Sequence, residues 1–229
     1  MTKAEVMHQL EALGTAQNRK GYARHGVKGE MFGVSYAHQG KLSKKIKMDH
    51  ALAQELWATG NHDARVLATM VADPMQVDAR LLGSWAQDLD NYVLTDAFAR
   101  LVARSPWARQ QVDTWTETRD EWPGSAGWTV LTLLALEDTE LPDAAFEPYL
   151  QAIERRLPSS ANRIRHSMNG ALIAIGTRSP ALEQQALAVA QKLGKVQVDH
   201  GETGCKTPDA ASYMRKTIAK KGYVTDGGS

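Results

Sequence analysis

Residues 51–74 read ALAQELWATGNHDARVLATMVADP, and this stretch contains two short helical patterns. Apolar residues recur three or four positions apart over 52–57 and again over 66–71. This spacing places the apolar side chains on one face of a helix. Asp73-Pro74 then breaks the pattern, because the aspartate can cap a helix and the proline can occupy its first turn. The stretch therefore predicts a pair of short helices followed by the start of a third.

The same periodicity continues over most of the chain. Further helices are predicted at 75–87, 91–104, 106–115, 122–137, 143–157, 161–177, 180–193 and 209–221. The links between them carry proline beside serine, threonine, leucine or aspartate, as turns and helix starts do. Only residues 195–198 hint at an extended segment. The sequence thus predicts an all-α fold of about ten mostly short helices.

The helices recur at roughly the 30–47 residue spacing of helical-repeat proteins, although the sequence itself does not repeat cleanly. A stack of helix pairs buries a continuous core between its layers and leaves one face concave. We therefore favour a superhelix (an α-α solenoid) that forms a single domain over residues 1–229. A polar loop and a basic helix are expected at 195–229. An irregular helical bundle fits the same periodicity.

The composition is that of an ordinary folded protein. The chain has 229 residues, of which 43% are hydrophobic and 23% are charged, and this excludes intrinsic disorder and collagen-like structure. The longest apolar stretches, such as 130–136, are far shorter than the roughly 20 residues of a membrane helix. The N-terminus lacks a signal-peptide pattern, and the single cysteine, Cys205, cannot form an intramolecular disulfide. We expect a protein of the reducing cytoplasm with no membrane association.

Basic residues are segregated along the chain although the formal net charge is only +1. Eight lysines and arginines but one acid lie between residues 19 and 47, and further basic clusters lie at 155–166 and 215–221. Acidic residues concentrate at 137–154 instead. Such segregation favours one surface that faces a polyanion, and the alternative is a set of ordinary solvated helix faces.

Residues 91–96, Asn-Tyr-Val-Leu-Thr-Asp, form the most informative local pattern. Asn91 or the preceding Asp90 can cap a helix, and Tyr92 and Asp96 then lie four residues apart on one face. An aromatic ring can lie against a sugar or base while a neighbouring carboxylate stabilises a cationic transition state or holds a water. The alternative is a weak surface ion pair between Asp96 and Arg100.

The same pattern resembles the Trp-x-x-x-Asp motif of the AlkD-like family, bacterial DNA alkylation repair proteins that are built from HEAT-like helical repeats. Other segments that resemble this family are 32–34, 53–57, 62–65 and 164–176. The resemblance covers roughly residues 30–195. It implies a HEAT-like superhelix with a concave groove.

The resemblance implies a DNA glycosylase that releases alkylated purines such as 3-methyladenine and 7-methylguanine from double-stranded DNA. These bases are already cationic, so the protein must supply mainly a negative charge near the developing sugar cation and a positioned water. That role is assigned to Asp96, while Tyr92 replaces the tryptophan of the family and basic residues neutralise phosphates. The residues expected to contact DNA are Tyr92, Trp85, Lys44, Lys45, Arg163, Arg165, His166, Arg215 and Lys216.

No cofactor, metal or obligate protein partner is expected, and the chain has neither a Walker-type loop nor a dinucleotide glycine fingerprint. A nucleoid-associated location in the bacterial cytoplasm is expected. Two departures from the family leave other functions open: Gly170 replaces a second tryptophan, and 122–129 lacks the basic residue expected there. The alternatives are a non-catalytic protein that binds DNA structures through the same groove and a protein-interaction scaffold.

Residues 199–209 place two aspartates, a histidine, a glutamate and a cysteine within eleven positions. All are potential metal ligands, but their spacing matches no zinc pattern. We favour a polar loop in which Thr207 or Asp209 caps the next helix. That helix carries Tyr213 and four basic residues, Arg215, Lys216, Lys220 and Lys221. It is predicted to contact phosphates or, alternatively, to be a solvated terminal helix.

Overall fold

The structure is a computed structural model that describes residues 1–227. Within that range the chain forms thirteen α-helices, three short 3-10 helices and no strand, which confirms the all-α prediction. The helices are α1 (Lys3–Leu13), α2 (Ala16–Arg24), α3 (Tyr36–Ile46), α4 (His50–Trp57), α5 (His62–Val71), α6 (Ala79–Gln87), α7 (Tyr92–Ala103), α8 (Ala108–Trp115), α9 (Glu121–Glu137), α10 (Glu147–Arg156), α11 (Asn162–Gly176), α12 (Pro180–Leu193) and α13 (Ala210–Lys221). The last two residues of the predicted 195–229 segment lie outside the described residues.

The helix that is predicted at 75–87 begins only at Ala79 in the structure, four residues later than predicted. Its cap is Asp78, whose side chain accepts a hydrogen bond from a first-turn amide at 2.7 Å, so α6 starts at Ala79. Asp73 instead closes a turn by accepting from the Met75 amide. Helices α1 and α2 carry no clear apolar pattern in the sequence, since α1 buries two residues and α2 buries none.

The chain divides into two compact units. Unit 1 comprises Met1–Ala108 and His200–Gly204, and unit 2 comprises Arg109–Asp199 and Cys205–Ser229. Helical repeats contact mainly their neighbours, so compact units of this kind also arise within one continuous stack. The single domain that the sequence favours therefore stays a prediction.

The core of unit 1 includes an aromatic stack between α4 and α6. Trp57 lies parallel to Trp85 with 4.2 Å between the ring centroids, and Phe98 of α7 packs beside Trp57. The indole nitrogen of Trp57 donates to Asp88 at 2.7 Å. Trp85 is only 3% exposed, and this burial contradicts the prediction that it contacts DNA. Its ring stabilises the core instead.

A buried carboxylate fixes the segment that precedes α3. Asp63, in the first turn of α5, accepts hydrogen bonds from the amides of Phe32, Gly33 and Val34 at 2.7, 2.9 and 2.8 Å. Gly33 has a φ of 81°, and a Cβ there would lie 2.7 Å from the nearest backbone nitrogen. Ser35 follows as the cap of α3. Asp63 therefore determines where α3 begins.

Replacing Asp63 with alanine should lower the free energy of unfolding by about 3 kcal/mol or more, because three buried amides lose a charged acceptor. Urea unfolding followed by circular dichroism measures this change. Asp120→Ala is the matched control, since Asp120 is exposed and makes no side-chain capping bond at α9. The control should change the free energy by no more than about 0.5 kcal/mol. Equal losses in the two variants would contradict the anchoring role of Asp63.

In unit 2 the most extensive helix contact is between α9 and α11. Gly124 permits this approach, because a Cβ there would lie 2.7 Å from Cδ1 of Ile164. Arg178 is fully buried and holds the C-terminal end of α9. Its guanidinium donates to the carbonyl oxygens of Ala135, Asp138 and Leu141 at 2.8–2.9 Å. These carbonyls thus receive partners that the helix itself does not supply.

Candidate functional site

Of the two caps that the sequence allows for helix α7, Asp90 and Asn91, the structure uses Asn91. The buried Asn91 side chain accepts a hydrogen bond from the Leu94 amide at 3.0 Å. Tyr92 is the first residue of the helix, and Asp96 follows one turn later on the same face. Tyr92 is half-buried and Asp96 is exposed. The carboxylate is therefore accessible to a large substrate.

A buried histidine of α5 supports this cap. The Nδ1 atom of His62 lies 3.4 Å from the side-chain nitrogen of Asn91, so it accepts a hydrogen bond when the imidazole is neutral. Its ring meets Tyr22 edge to face with 5.3 Å between centroids. Burial lowers the pKa of His62, and this effect outweighs the opposing influence of Asp63 and Asp90. The neutral imidazole therefore belongs to the folded arrangement of the α7 cap.

This lowered pKa predicts a loss of stability in mild acid. Below about pH 6.5 the unfolded chain protonates His62 while the folded chain does not, so the free energy of unfolding falls by up to about 1.4 kcal/mol per pH unit. The loss continues until the pH reaches the pKa of the folded state. Urea unfolding at several pH values should show a shallower dependence for His62→Asn than for the unchanged chain. The exposed His8, replaced in the same way, serves as the control, and identical profiles for all three proteins would contradict the prediction.

Three tyrosines gather around the start of α7: Tyr22, Tyr36 and Tyr92. The Tyr36 hydroxyl donates to the Val93 carbonyl at 3.5 Å. The Tyr92 hydroxyl is hydrogen-bonded to the His25 ring, which lies edge to face with the phenol at 5.7 Å between centroids. We call these three residues the tyrosine cluster. Its members come from α2, α3 and α7, so the fold brings together aromatic rings that are far apart in the chain.

The exposed carboxylate of α7 lies near one member of this cluster. The pKa of Tyr36 is raised to about 12, first by burial of its hydroxyl and then by Asp96 and Tyr22, while Arg100 acts in the opposite direction. Asp96 and Arg100 both lie close enough to act on this phenol. The Tyr36 ring nevertheless remains 45% exposed. An accessible carboxylate and an accessible aromatic ring thus share one surface of unit 1.

Sequence reasoning misses Tyr36, although a local signal exists. Ser35-Tyr36 at the start of α3 repeats the arrangement of Asn91-Tyr92 at the start of α7, with a capping side chain followed by a tyrosine. The far end of α3 carries the predicted Lys44 and Lys45, both exposed in its last turn. Helix α3 therefore presents an aromatic ring at one end and positive charge at the other.

In unit 2 the structure brings two predicted residues, His166 and Lys216, to one cavity of about 640 Å³. Arg163 and Arg165 lie partly buried in the first turn of α11. The Arg163 amide donates to a Glu121 carboxylate oxygen at 2.8 Å. Arg215 is exposed on α13 and is not among the residues that line the cavity. For these basic residues, contact with DNA stays a prediction.

The polar segment 199–209 forms a loop that ends in a helix cap. Asp209 caps α13 as predicted, and the hydrogen bond that it accepts from the Ser212 amide lowers the pKa of its carboxyl. The Asn162 side chain holds the backbone of Asp199. Its nitrogen donates to the Asp199 carbonyl at 2.7 Å, and its oxygen accepts from the Asp199 amide at 2.8 Å. Within residues 1–227, no group of three or more histidine, cysteine or acidic side chains is placed to hold a metal ion.

No helix of residues 1–227 has the length and apolarity to span a membrane.

Comparison with known proteins agrees with the resemblance of the sequence. A family model described as DNA alkylation repair enzyme matches residues 6–214. Uncharacterized proteins of Listeria innocua and Listeria monocytogenes are 30% and 29% identical over 214 residues, 91% of this chain and 93% of each relative. One solved structure belongs to a family of proteins that are related to the HEAT-like repeat DNA glycosylases and have affinity for branched DNA structures. It superposes on this chain with a TM-score of 0.89 and is 28% identical in sequence. The match covers 98% of this chain and 97% of the other. The chain thus has a HEAT-like repeat fold and belongs to the DNA alkylation repair enzyme family.

Proposed function

We propose that the protein binds DNA, branched DNA included, through two basic helix faces that each carry an exposed tyrosine. We use α3 face for the exposed residues Tyr36, Lys41, Lys44 and Lys45, which spread around the helix, with Lys44 nearest the side of Tyr36 and Lys45 on the opposite side. We use α13 face for the exposed residues Tyr213, Lys216, Lys220 and Lys221, which share one side of the helix, together with Arg215 on the other side. One observation carries the proposal. Among the phenylalanine, tyrosine and tryptophan side chains of residues 1–227, only Tyr36 and Tyr213 are exposed, at 45% and 51%, and each lies on a helix rich in exposed cations.

The chemistry of these faces suits DNA whose bases are not fully stacked. Lysine and arginine neutralise phosphates and release counterions regardless of sequence. An exposed aromatic ring contributes binding energy only where a base face is open, as it is at a branch point or an unpaired nucleotide. A face that combines the two groups should therefore prefer branched DNA to a continuous duplex. The affinity of the structurally similar protein for branched DNA supports this proposal.

Fluorescence anisotropy with a four-way junction and a duplex of the same strand length tests the proposal. We expect the junction to bind about tenfold more tightly, which is the magnitude of one aromatic–base stack. Tyr36→Ala should reduce this preference, while Tyr36→Phe keeps the ring and should retain it. Equal affinities for the two DNAs, or no binding in low salt, would overturn the proposal.

A second candidate function, the excision of alkylated purines, is favoured by the accessible carboxylate of Asp96 beside Tyr36 and Tyr92. In such a reaction the glycosidic bond breaks and its electron pair neutralises the cationic base. Asp96 would stabilise the cationic sugar that remains. A water would then add to C1′ and lose its proton to the carboxylate or to solvent. A location beside the chromosome in the bacterial cytoplasm accompanies both functions.

A further inference from the structure

Unit 2 contains a cavity whose lining combines apolar, aromatic and cationic groups. Its volume of about 640 Å³ lies within the range of small-ligand sites. The apolar part of the lining is Leu136, Ile173 and Ala174, and Tyr213 contributes a ring. Three lysines and a histidine also line it, namely Lys216, Lys220, Lys221 and His166, and none of the lining residues is acidic. The charge of this cavity is complementary to a phosphate, and its apolar wall is complementary to a base.

A buried amide adds an unused hydrogen-bond acceptor. Asn169 is 1% exposed and lines the cavity, and its nitrogen donates to the Pro208 carbonyl at 3.1 Å. Its oxygen receives no hydrogen bond from any of residues 1–227. A buried acceptor in that state is costly unless a ligand or water supplies a donor. The oxygen is itself inaccessible to solvent, so this acceptor lies beneath the wall of the cavity and not on its surface.

The space in the cavity depends on Gly170, which is one of the lining residues and has no side chain to fill it. A Cβ at Gly170 would have only one neighbour within 4 Å, the hydroxyl of Thr132 at 3.8 Å. The helix therefore tolerates a side chain at this position, and a large one would occupy the cavity.

We propose that this cavity holds one unpaired nucleotide of a DNA strand, with its base against Ile173 and Tyr213 and its phosphate at Lys216 and Lys220. This inference rests on the proposed DNA binding and adds the site that binds an unpaired base. A free mononucleotide shares the same chemistry, so the experiment must separate the two sources.

The test uses duplexes with and without a single unpaired 2-aminopurine, whose fluorescence reports stacking. We expect the bulged duplex to bind about tenfold more tightly than the matched one. Gly170→Leu should abolish this preference and leave affinity for the matched duplex unchanged. Gly170→Ala adds only a methyl group and should keep most of the preference, and thermal unfolding of both variants confirms that they fold.

Charge variants of α13 provide a second, matched comparison. Lys216→Ser with Lys220→Ser should weaken binding of the bulged duplex more than that of the matched duplex. Arg215→Ser removes an exposed cation of the same helix that does not line the cavity, and it should affect both DNAs equally.

Three results would overturn the inference. A bulge preference that persists in Gly170→Leu would overturn the cavity assignment alone, because DNA binding would remain. Displacement of the bulged duplex by deoxyadenosine monophosphate below about 1 mM would assign the cavity to a free nucleotide instead. No binding of either duplex by the unchanged chain would overturn this inference together with the proposed function.

Discussion

Replacing both Lys44 and Lys45 with serine is expected to weaken binding to junction DNA by about a hundredfold near 50 mM salt. Each lysine that neutralises a phosphate releases condensed counterions, and this release supplies most of the affinity in dilute salt. The two lysines are exposed in the last turn of α3 and are therefore available to phosphates. The slope of log K against log salt should also fall by about two units.

The control for this double variant is Lys192→Ser. Lys192 already pairs with Glu154 at 2.7 Å, so its charge is neutralised within the protein. Anisotropy titrations at four salt concentrations yield the affinity and the slope for each protein. An unchanged slope in the double variant, or the same loss in the Lys192 variant, would show that the α3 face does not bind phosphates.

The proposed excision function predicts that replacing Asp96 with asparagine abolishes the release of methylated purines, with a fall of at least about a hundredfold in the rate. Asparagine keeps the shape of the side chain but removes the negative charge that would stabilise the sugar cation. DNA affinity should stay the same or rise slightly, since a charge that repels phosphates is lost. Incubation with DNA that contains 7-methylguanine, followed by analysis of the released bases, measures the effect.

Asp120→Asn is the matched control for Asp96→Asn, because Asp120 is an exposed carboxylate just before the first turn of another helix. It should release bases at the rate of the unchanged chain. Equal release by the Asp96 variant would remove Asp96 from the reaction. If the unchanged chain binds DNA but releases no base, the second candidate function is lost and the DNA-binding proposal remains.

The local features of the candidate site follow from sequence because short-range chemistry sets them. The cap at Asn91, the position of Asp96 one turn later and the cap at Asp209 each depend on residues within a few positions of one another. The resemblance at 91–96 and at 164–176 also predicts the family correctly.

The long-range features of the site do not follow from sequence. Tyr36 meets Val93 across 57 positions, and Asp63 reaches the Phe32 amide across 31, so no local pattern reports either contact. For Trp85 the local sequence suggests a contact that the structure does not contain. Trp85 lies close to the motif at 91–96, and this suggests a DNA contact, but its ring stacks on Trp57 and is buried. An aromatic residue next to a functional motif cannot be assigned to core or surface without its partners.

Photo-crosslinking identifies the residues of the protein that contact a DNA branch point. Junction DNA that carries 5-iododeoxyuridine at its branch point is irradiated in complex with the unchanged protein, and the crosslinked peptides are mapped by mass spectrometry. We expect crosslinks at Tyr36 of α3 and Tyr213 of α13, the exposed tyrosines of the two basic faces. Crosslinks confined to peptides that contain neither tyrosine would contradict this expectation.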